Sequence, residues 1–238
     1  MSKRHVPLFP VSALALGLIL AACAPAQTGP RPDPVTFRPA PGEVASKIDG
    51  VGDLGRWMIT KNLENATWLG EKVEGRTLRE PINVVLIDAV AKTPTDATRR
   101  MLDAMNRAGY GPKNMHSDGY SGYLNGQLRP QYPHGKGLAF SDGPWYGSNN
   151  HGRVFGPFEV GSSTVFIASF SREDFRWLPR PGHSYSSFQV AREDLAKQMG
   201  AKTVFKPQGY LNLASAIDTP LETTGDHDGR ALLLVAQE

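Results

Sequence analysis

Cysteine is almost absent from this chain, because Cys23 is the only one among 238 residues. A disulfide within the chain needs two cysteines, so the fold must be held together by its core alone. If Cys23 is consumed by a modification, as its sequence context predicts, no thiol remains for nucleophilic catalysis. This excludes the cell-wall transpeptidases and peptidases that use a cysteine nucleophile.

An excess of charge of either sign is also absent. The chain has 26 basic and 23 acidic residues, and loss of Lys3 and Arg4 with an export signal leaves a net charge of +1. No run of basic residues is present, so the sequence offers no electrostatic footprint for nucleic acid. No later hydrophobic run is long enough to cross a membrane, which needs about 20 residues.

The first 23 residues have the composition of an export signal that ends in a lipidation site. Lys3 and Arg4 precede an uncharged, mostly apolar stretch, and the string LAAC over 20–23 matches the lipobox of bacterial lipoproteins. We therefore predict that residues 1–22 are a signal peptide and that Cys23 carries a covalent lipid that anchors the protein to a membrane. Ala24 gives no retention signal for the inner membrane, which favours the periplasmic face of the outer membrane. The alternative is an ordinary cleaved signal with an incidental cysteine.

Residues 23–42 read as the lipidated cysteine and an extended tether. Six of the nineteen residues over 24–42 are proline, and Pro-rich chain favours the stiff polyproline II conformation. A Pro-rich recognition ligand is the alternative. The remaining residues, 43–238, are long enough for one globular domain with a substantial core.

Apolar spacing within this domain predicts both helices and strands. We expect a helix over 43–66, a buried strand over 82–90, a helix capped by Thr93 and stopped by Gly109, and a second helix over 187–199. Further strands are expected over 153–160, 164–170, 203–205 and 231–236. The predicted fold is α/β, a single-domain two-layer sandwich with a mixed sheet of about five or six strands, two main core helices and the preceding N-terminal helix.

Short motifs follow one another in a fixed order between 81 and 199. In chain order they are AGY over 108–110, LAF over 138–140, HGR over 151–153, a strand ending near Asp174, and His183 before a helix containing RED over 192–194. This order resembles the LssY C-terminal domain family. The family has no established activity and is commonly fused to membrane proteins that resemble phospholipid phosphatases and transporters, which implies work at an envelope membrane. Asn150 replaces a family histidine, and Tyr185 and Ser186 replace a family Ile-Asp pair, which implies an altered site.

Polar side chains of the central loop and of the segment after it form one candidate site. They are His116, Asp118, His134, Asp142, His151, Asp174 and His183. Imidazoles and carboxylates are ligands of divalent metals such as Zn²⁺, and the resemblance points to His151, Arg153 and His183. One hypothesis is therefore a metal-dependent hydrolase with His151, His183 and either Asp142 or Asp174 around the ion. The alternative hypothesis is that these histidines only cap turns or lie at the surface. No His-x-His or His-Glu-x-x-His spacing places two metal ligands on one helix or strand.

Ser184 is an alternative nucleophile. The string GHSYS over 182–186 nearly matches the G-x-S-x-G elbow of α/β-hydrolases. The elbow needs a buried strand directly before the serine, and Pro179 and Pro181 disfavour one. Ser186 also replaces the final glycine of the motif.

Aromatic residues and an amide in the central loop suit a ligand-binding face for sugars or peptides. They are Tyr120, Tyr123, Trp145, Tyr146 and Asn149. A loop packed by its own aromatics is the alternative. The leading hypothesis is an envelope lipoprotein acting as a non-enzymatic binding module for an envelope protein, a sugar or a lipid. The alternative is a metal-dependent or serine hydrolase acting on lipid or cell-wall substrates.

Overall fold

The structure, a computed structural model, describes residues 35–178 and 181–238. These residues are mostly β, with two α-helices, α1 (Pro94–Arg107) and α2 (Phe188–Lys202). The strands are β1 (Val44–Ile48), β2 (Gly52–Gly55), β3 (Thr67–Val73), β4 (Arg76–Arg79), β5 (Val84–Asp88), β6 (Pro112–Lys113), β7 (Ser121–Leu124), β8 (Gln127–Tyr132), β9 (Ala139–Ser141), β10 (Asn149–Val160), β11 (Ser163–Arg176), β12 (Gly182–Ser187), β13 (Phe205–Asn212), β14 (Glu222–Thr223) and β15 (Arg230–Ala236). The predicted two-layer α/β sandwich with five or six strands is therefore wrong.

Twelve of these strands form one sheet that curls until it is nearly closed. Its main path runs β1-β2-β7-β8-β10-β11-β5-β15-β13, while β12 pairs with β11 and β9 joins β6 to β10. Strands β5 and β15 pair in parallel, and the other pairs of this sheet are antiparallel. Strands β14, β4 and β3 form a separate small sheet. The long hairpin of β10 and β11 lies at the centre of this arrangement.

The two helices pack on one face of the sheet. The Thr93 side chain accepts a hydrogen bond from the Asp96 N–H, and Pro94 begins α1, so this predicted helix start is confirmed. The Ser187 side chain caps α2 in the same way. Apolar residues of both helices bury against the sheet residues that point toward them, such as Leu86 and Phe166. The end predicted for the second helix is wrong, because α2 continues through Gly200 to Lys202.

The opposite face of the sheet carries a second core. Alternate residues of β5 and β11 point to opposite faces, so Val85 and Ile167 join this second core. Buried residues from the N-terminal part of the chain, including Leu54 and Met58, cover them. The strand predicted over 82–90 is thus buried on both faces, as expected. Within the described residues, the core clusters lie between 45 and 236, so a chain that begins at residue 24 keeps all of them.

The residues predicted as an N-terminal helix, 43–66, are not helical: they contain strands β1 and β2, followed by isolated bridges at Trp57 and Ile59. The turn between the two strands contains Gly50 and Gly52 with φ of +67° and +98°, a left-handed conformation that glycine adopts without strain. The turn folds the chain back, so Ala45 pairs with Leu54 across the hairpin. The spacing that mimicked a helix therefore comes from two strands joined by a tight turn.

The predicted signal peptide, Cys23 and the first part of the tether lie outside the described residues. The end of the tether contains a short 3₁₀ turn, Pro41–Glu43. Among the described residues, no helix combines the length and the hydropathy needed to cross a membrane.

Candidate metal centre

Two neighbouring strands change from apolar to polar along the same face. On β11 the residues of this face are, in order, Val165, Ile167, Ser169, Ser171 and Glu173. On β10 the corresponding residues are Phe155, Arg153, His151 and Asn149. The antiparallel register places Asn149 opposite Glu173 and His151 opposite Ser171. The polar halves of the two strands therefore meet on one patch of the sheet.

Three side chains converge on this patch. His116, His151 and Glu173 each place one possible ligand atom within 4.8 Å of the others. His116 comes from the segment between β6 and β7, and its ring stacks on His151 with centroids 4.9 Å apart. His151 Nδ1 lies 3.7 Å from Glu173 Oε2. Ligand atoms around a tetrahedral Zn²⁺ with bonds near 2.1 Å are about 3.4 Å apart, so a contraction of at most about 1.4 Å would close the set.

The cluster borders a cavity of about 100 Å³. Its ionisable lining residues are Glu80, His116, His151, Arg153, Glu173 and His183. Leu69 and Met115 contribute apolar lining and are also largely exposed. The cavity is thus polar inside and apolar at part of its rim.

Three histidine nitrogens at this cavity are buried without a hydrogen-bond partner. They are His116 Nε2, His151 Nδ1 and His183 Nε2. A buried polar atom without a partner is costly, and native proteins leave few of them. Three in one cavity indicate that the site is built for something that the described residues do not supply. Unpaired imidazole nitrogens beside a carboxylate suit a divalent transition metal.

Glu173 is held in place by two donors. His183 Nδ1 lies 2.9 Å from Glu173 Oε1, and Asn149 Nδ2 donates to the same oxygen at 2.8 Å. The other oxygen, Oε2, is the one nearest His151. Metal-binding carboxylates are commonly oriented by such partners. One oxygen of Glu173 is therefore anchored and the other is directed at the histidine pair.

Burial sets the protonation of the three clustered groups. It lowers the pKa of His116 to about 4, with a further contribution from the nearby positive charge of Arg153. It lowers the pKa of His151 well below its usual value, again with a contribution from Arg153. Burial raises the pKa of Glu173, against hydrogen bonding from Asn149 and the attraction of His183. Both imidazoles are therefore neutral at pH 7, which is the form that binds metals.

Arg153 and Glu80 complete the polar lining. Arg153 donates to the Ser117 carbonyl at 2.8 and 3.2 Å and lies over the Tyr120 ring at 5.0 Å, so its side chain is fixed. The Glu80 carboxylate is buried and makes no hydrogen bond within the described residues. Burial raises its pKa to about 7, although the positive charge of Arg153 opposes the rise. The cavity thus holds a fixed cation and an unpaired carboxyl group that titrates near neutrality.

The structure separates the other predicted catalytic residues from this cluster. The Asp142 carboxylate accepts from the backbone N–H and the side-chain amide of Asn150. Asp174 follows Glu173 on the same strand and so points to the opposite face of the sheet. It is half exposed and lies 3.5 Å from Arg172. Ser184 is buried within strand β12 with an unpaired Oγ. A nucleophile elbow needs a turn into a helix at the serine, and Ser184 lies inside a strand instead.

The predicted ligand-binding residues do not form one face. Tyr123 is buried against Phe37, and Tyr120 packs under Arg153. Asn149 is buried and bound to Glu173. Only Trp145 and Tyr146 are exposed, and they contact each other edge to face. The expected aromatic loop is therefore split between the interior, the surroundings of the cavity and an exposed edge.

The sequence interpretation includes His116 among the candidate ligands but misses Glu173 and Glu80. Glu173 carried a usable signal, because it has the same parity along β11 as Val165 and Ile167. His116 was one of several polar residues in a long loop, and nothing local connected it to His151. Glu80 follows a short strand, and only the fold brings it to the cavity.

Comparisons with protein-family models, with curated proteins and with solved structures found no match to this chain. The resemblance to the LssY C-terminal domain therefore stays a prediction.

Proposed function

We propose that His116, His151 and Glu173 bind a divalent transition metal ion, with Zn²⁺ the best fit, and that the protein is a metal-dependent hydrolase. The convergence of these three ligands at one cavity carries the proposal. Two histidines and one glutamate form a known ligand set of catalytic zinc, which leaves a fourth position for water. This favours the hydrolase alternative over the non-enzymatic binding module.

The surrounding groups suit hydrolysis. A bound Zn²⁺ would polarise the bond under attack and lower the pKa of a bound water. The Glu80 carboxyl group shares the cavity and makes no hydrogen bond within the described residues, so it can accept the proton of that water. The fixed guanidinium of Arg153 can stabilise the negative charge that develops on the substrate.

Elemental analysis of the purified protein tests the metal. We expect one transition metal ion per chain, lost in His151→Ala and in Glu173→Gln. His134→Ala is the matched control, because His134 is an exposed histidine outside the cluster and its removal leaves the metal in place. A stable wild-type protein that neither contains nor takes up Zn²⁺ would overturn the proposal.

The catalytic part is tested separately on protein that retains its metal. Glu80→Gln should keep full metal content and lose at least about 100-fold in the hydrolysis rate of a chromogenic ester or phosphoester, as expected for loss of a general base. If metal-loaded wild-type protein hydrolyses neither the ester nor the phosphoester, the protein is a metal-binding module and not a hydrolase. We also propose that the protein is located at the periplasmic face of the outer membrane, and the lipobox at Cys23 supports this location.

A further inference from the structure

Large apolar side chains are exposed next to the metal cavity. Trp145 is 41%, Tyr146 58%, Trp177 67% and Leu178 83% exposed. Rings of this group touch in sequence, because Trp145 contacts Tyr146 and Phe175, and Phe175 contacts Trp177. We call Trp145, Tyr146, Phe175, Trp177 and Leu178 the aromatic ridge. A contiguous exposed group of this kind marks an interaction surface.

The ridge reaches the metal cavity directly. The Phe175 ring lies 5.2 Å from the ring of His183, which lines the cavity. The cavity rim adds two more exposed apolar side chains, Leu69 and Met115. A partner held by the ridge would therefore be next to the opening of the cavity.

We propose that the aromatic ridge inserts into the interface of a lipid bilayer. Trp and Tyr prefer the boundary between lipid headgroups and acyl chains, since each combines an apolar ring with a polar group. Leu178 is the most exposed of the group and has no polar atom in its side chain, which suits an apolar phase. The neighbouring rings are inclined by 77–83° to one another, so they form a ridge of edges rather than the flat platform that stacks on a sugar.

The charges beside the ridge fit an anionic bilayer. Arg176 is exposed and makes no ion pair within the described part of the chain. Arg172 forms an ion pair with Asp174 at 3.5 Å. Anionic headgroups attract each such cation by about 1 kcal/mol. The lipobox prediction is independent of the ridge and places the same domain close to a membrane. The inference does not depend on the metal, because the ridge contains no member of the metal cluster.

Vesicle binding tests the inference with a chain of residues 24–238, which lacks Cys23 and keeps every core residue. Binding is measured by co-sedimentation with vesicles of phosphatidylethanolamine and phosphatidylglycerol. Trp57 and Trp68 are buried, so quenching of tryptophan fluorescence by brominated lipid would report on Trp145 and Trp177. We expect binding with quenching.

Replacing Trp177 and Leu178 together by serine should weaken binding by about tenfold or more, because two large apolar side chains no longer enter the bilayer. Leu221→Ser, at an exposed leucine outside the ridge, should leave binding unchanged. Arg176→Gln should weaken binding to anionic vesicles about fivefold. It should leave binding to phosphatidylcholine vesicles unchanged.

Absence of vesicle binding by the wild-type chain would overturn the inference, as would binding that the double variant does not change. Retention on a polysaccharide column without vesicle binding would assign the ridge to sugars instead. The substituted side chains are exposed, so circular dichroism should show unchanged folding.

Discussion

His183 Nδ1 and Glu173 Oε1 lie 2.9 Å apart, and this contact fixes which carboxylate oxygen faces His151. An ionised carboxylate only accepts hydrogen bonds, so the His183 nitrogen donates. The remaining nitrogen of His183, Nε2, is buried at the cavity without a partner. His183 therefore supports Glu173 and still presents a free ring nitrogen to the cavity.

This contact predicts a graded loss of metal affinity. His183→Ala should weaken Zn²⁺ binding by about 10- to 100-fold, the usual effect of removing a partner that orients a ligand. His151→Ala should abolish high-affinity binding, because it removes a ligand. Competition with a chromogenic chelator measures both affinities. If His183→Ala also abolishes binding, His183 is itself a ligand; if it has no effect, the hydrogen bond does not orient Glu173.

A buried ion pair on α2 predicts a large loss of stability. Arg192 is almost fully buried, and its two terminal nitrogens donate to the carboxylate of Asp228 at 2.7 and 3.0 Å. Asp228→Ala should lower the free energy of unfolding by about 2–3 kcal/mol, because Arg192 loses its bidentate partner and keeps only the half-exposed Glu193 carboxylate and the Arg230 carbonyl. Urea denaturation measures this change.

The same substitution in an Arg192→Met background is the control. In that background, Asp228→Ala should lower the free energy of unfolding much less, because the buried charge of Arg192 is already gone. Costs that simply add would show that the pair is not coupled and would contradict the prediction.

Local signals explain which elements the sequence predicts. The start of α1 was predictable because Thr93 and Pro94 act within one turn, whereas the sheet depends on distant pairing. Strands β7 and β8 are short, contain glycine or proline, and show no clean alternation, so only their partners make them strands. The count of five or six strands was too low for that reason.

The candidate site was predictable in part. The predicted residues His151 and His183 do line one cavity, but the carboxylate in it is Glu173 and neither Asp142 nor Asp174. The strand predicted over 164–170 continues to Arg176, and its period of two would have placed Glu173 on the face of Ile167. His116 could not be assigned, because the long segment that carries it is positioned by tertiary contacts.

The lipobox predicts a covalent lipid on Cys23. Cells that express the protein should incorporate radioactive palmitate into it, and Cys23→Ala should abolish the label. The physical requirement is a thiol at the position where the signal peptide is cleaved, and the chain has no other cysteine. Label that persists in the variant, or an unlabelled wild type, would contradict the prediction.

Glu80 predicts a stability that depends on pH in a defined window. Burial raises the pKa of this carboxyl group from its usual 4.5 to about 7 in the folded protein. Between these values the folded state keeps a proton that the unfolded state has lost, so stability falls as the pH rises through the window. The full cost, roughly 3 kcal/mol, is present above pH 7.

Glu80→Gln should remove this cost, because the amide has a similar shape and does not ionise. In the presence of a chelator, the variant should be more stable than wild type by up to about 3 kcal/mol at pH 8, and by less than about 0.5 kcal/mol at pH 4.5. Urea denaturation at the two pH values measures the difference. Glu159→Gln, at an exposed glutamate on β10, should change stability little at either pH. A gain of equal size at both pH values would mean that packing, not ionisation of Glu80, accounts for the effect.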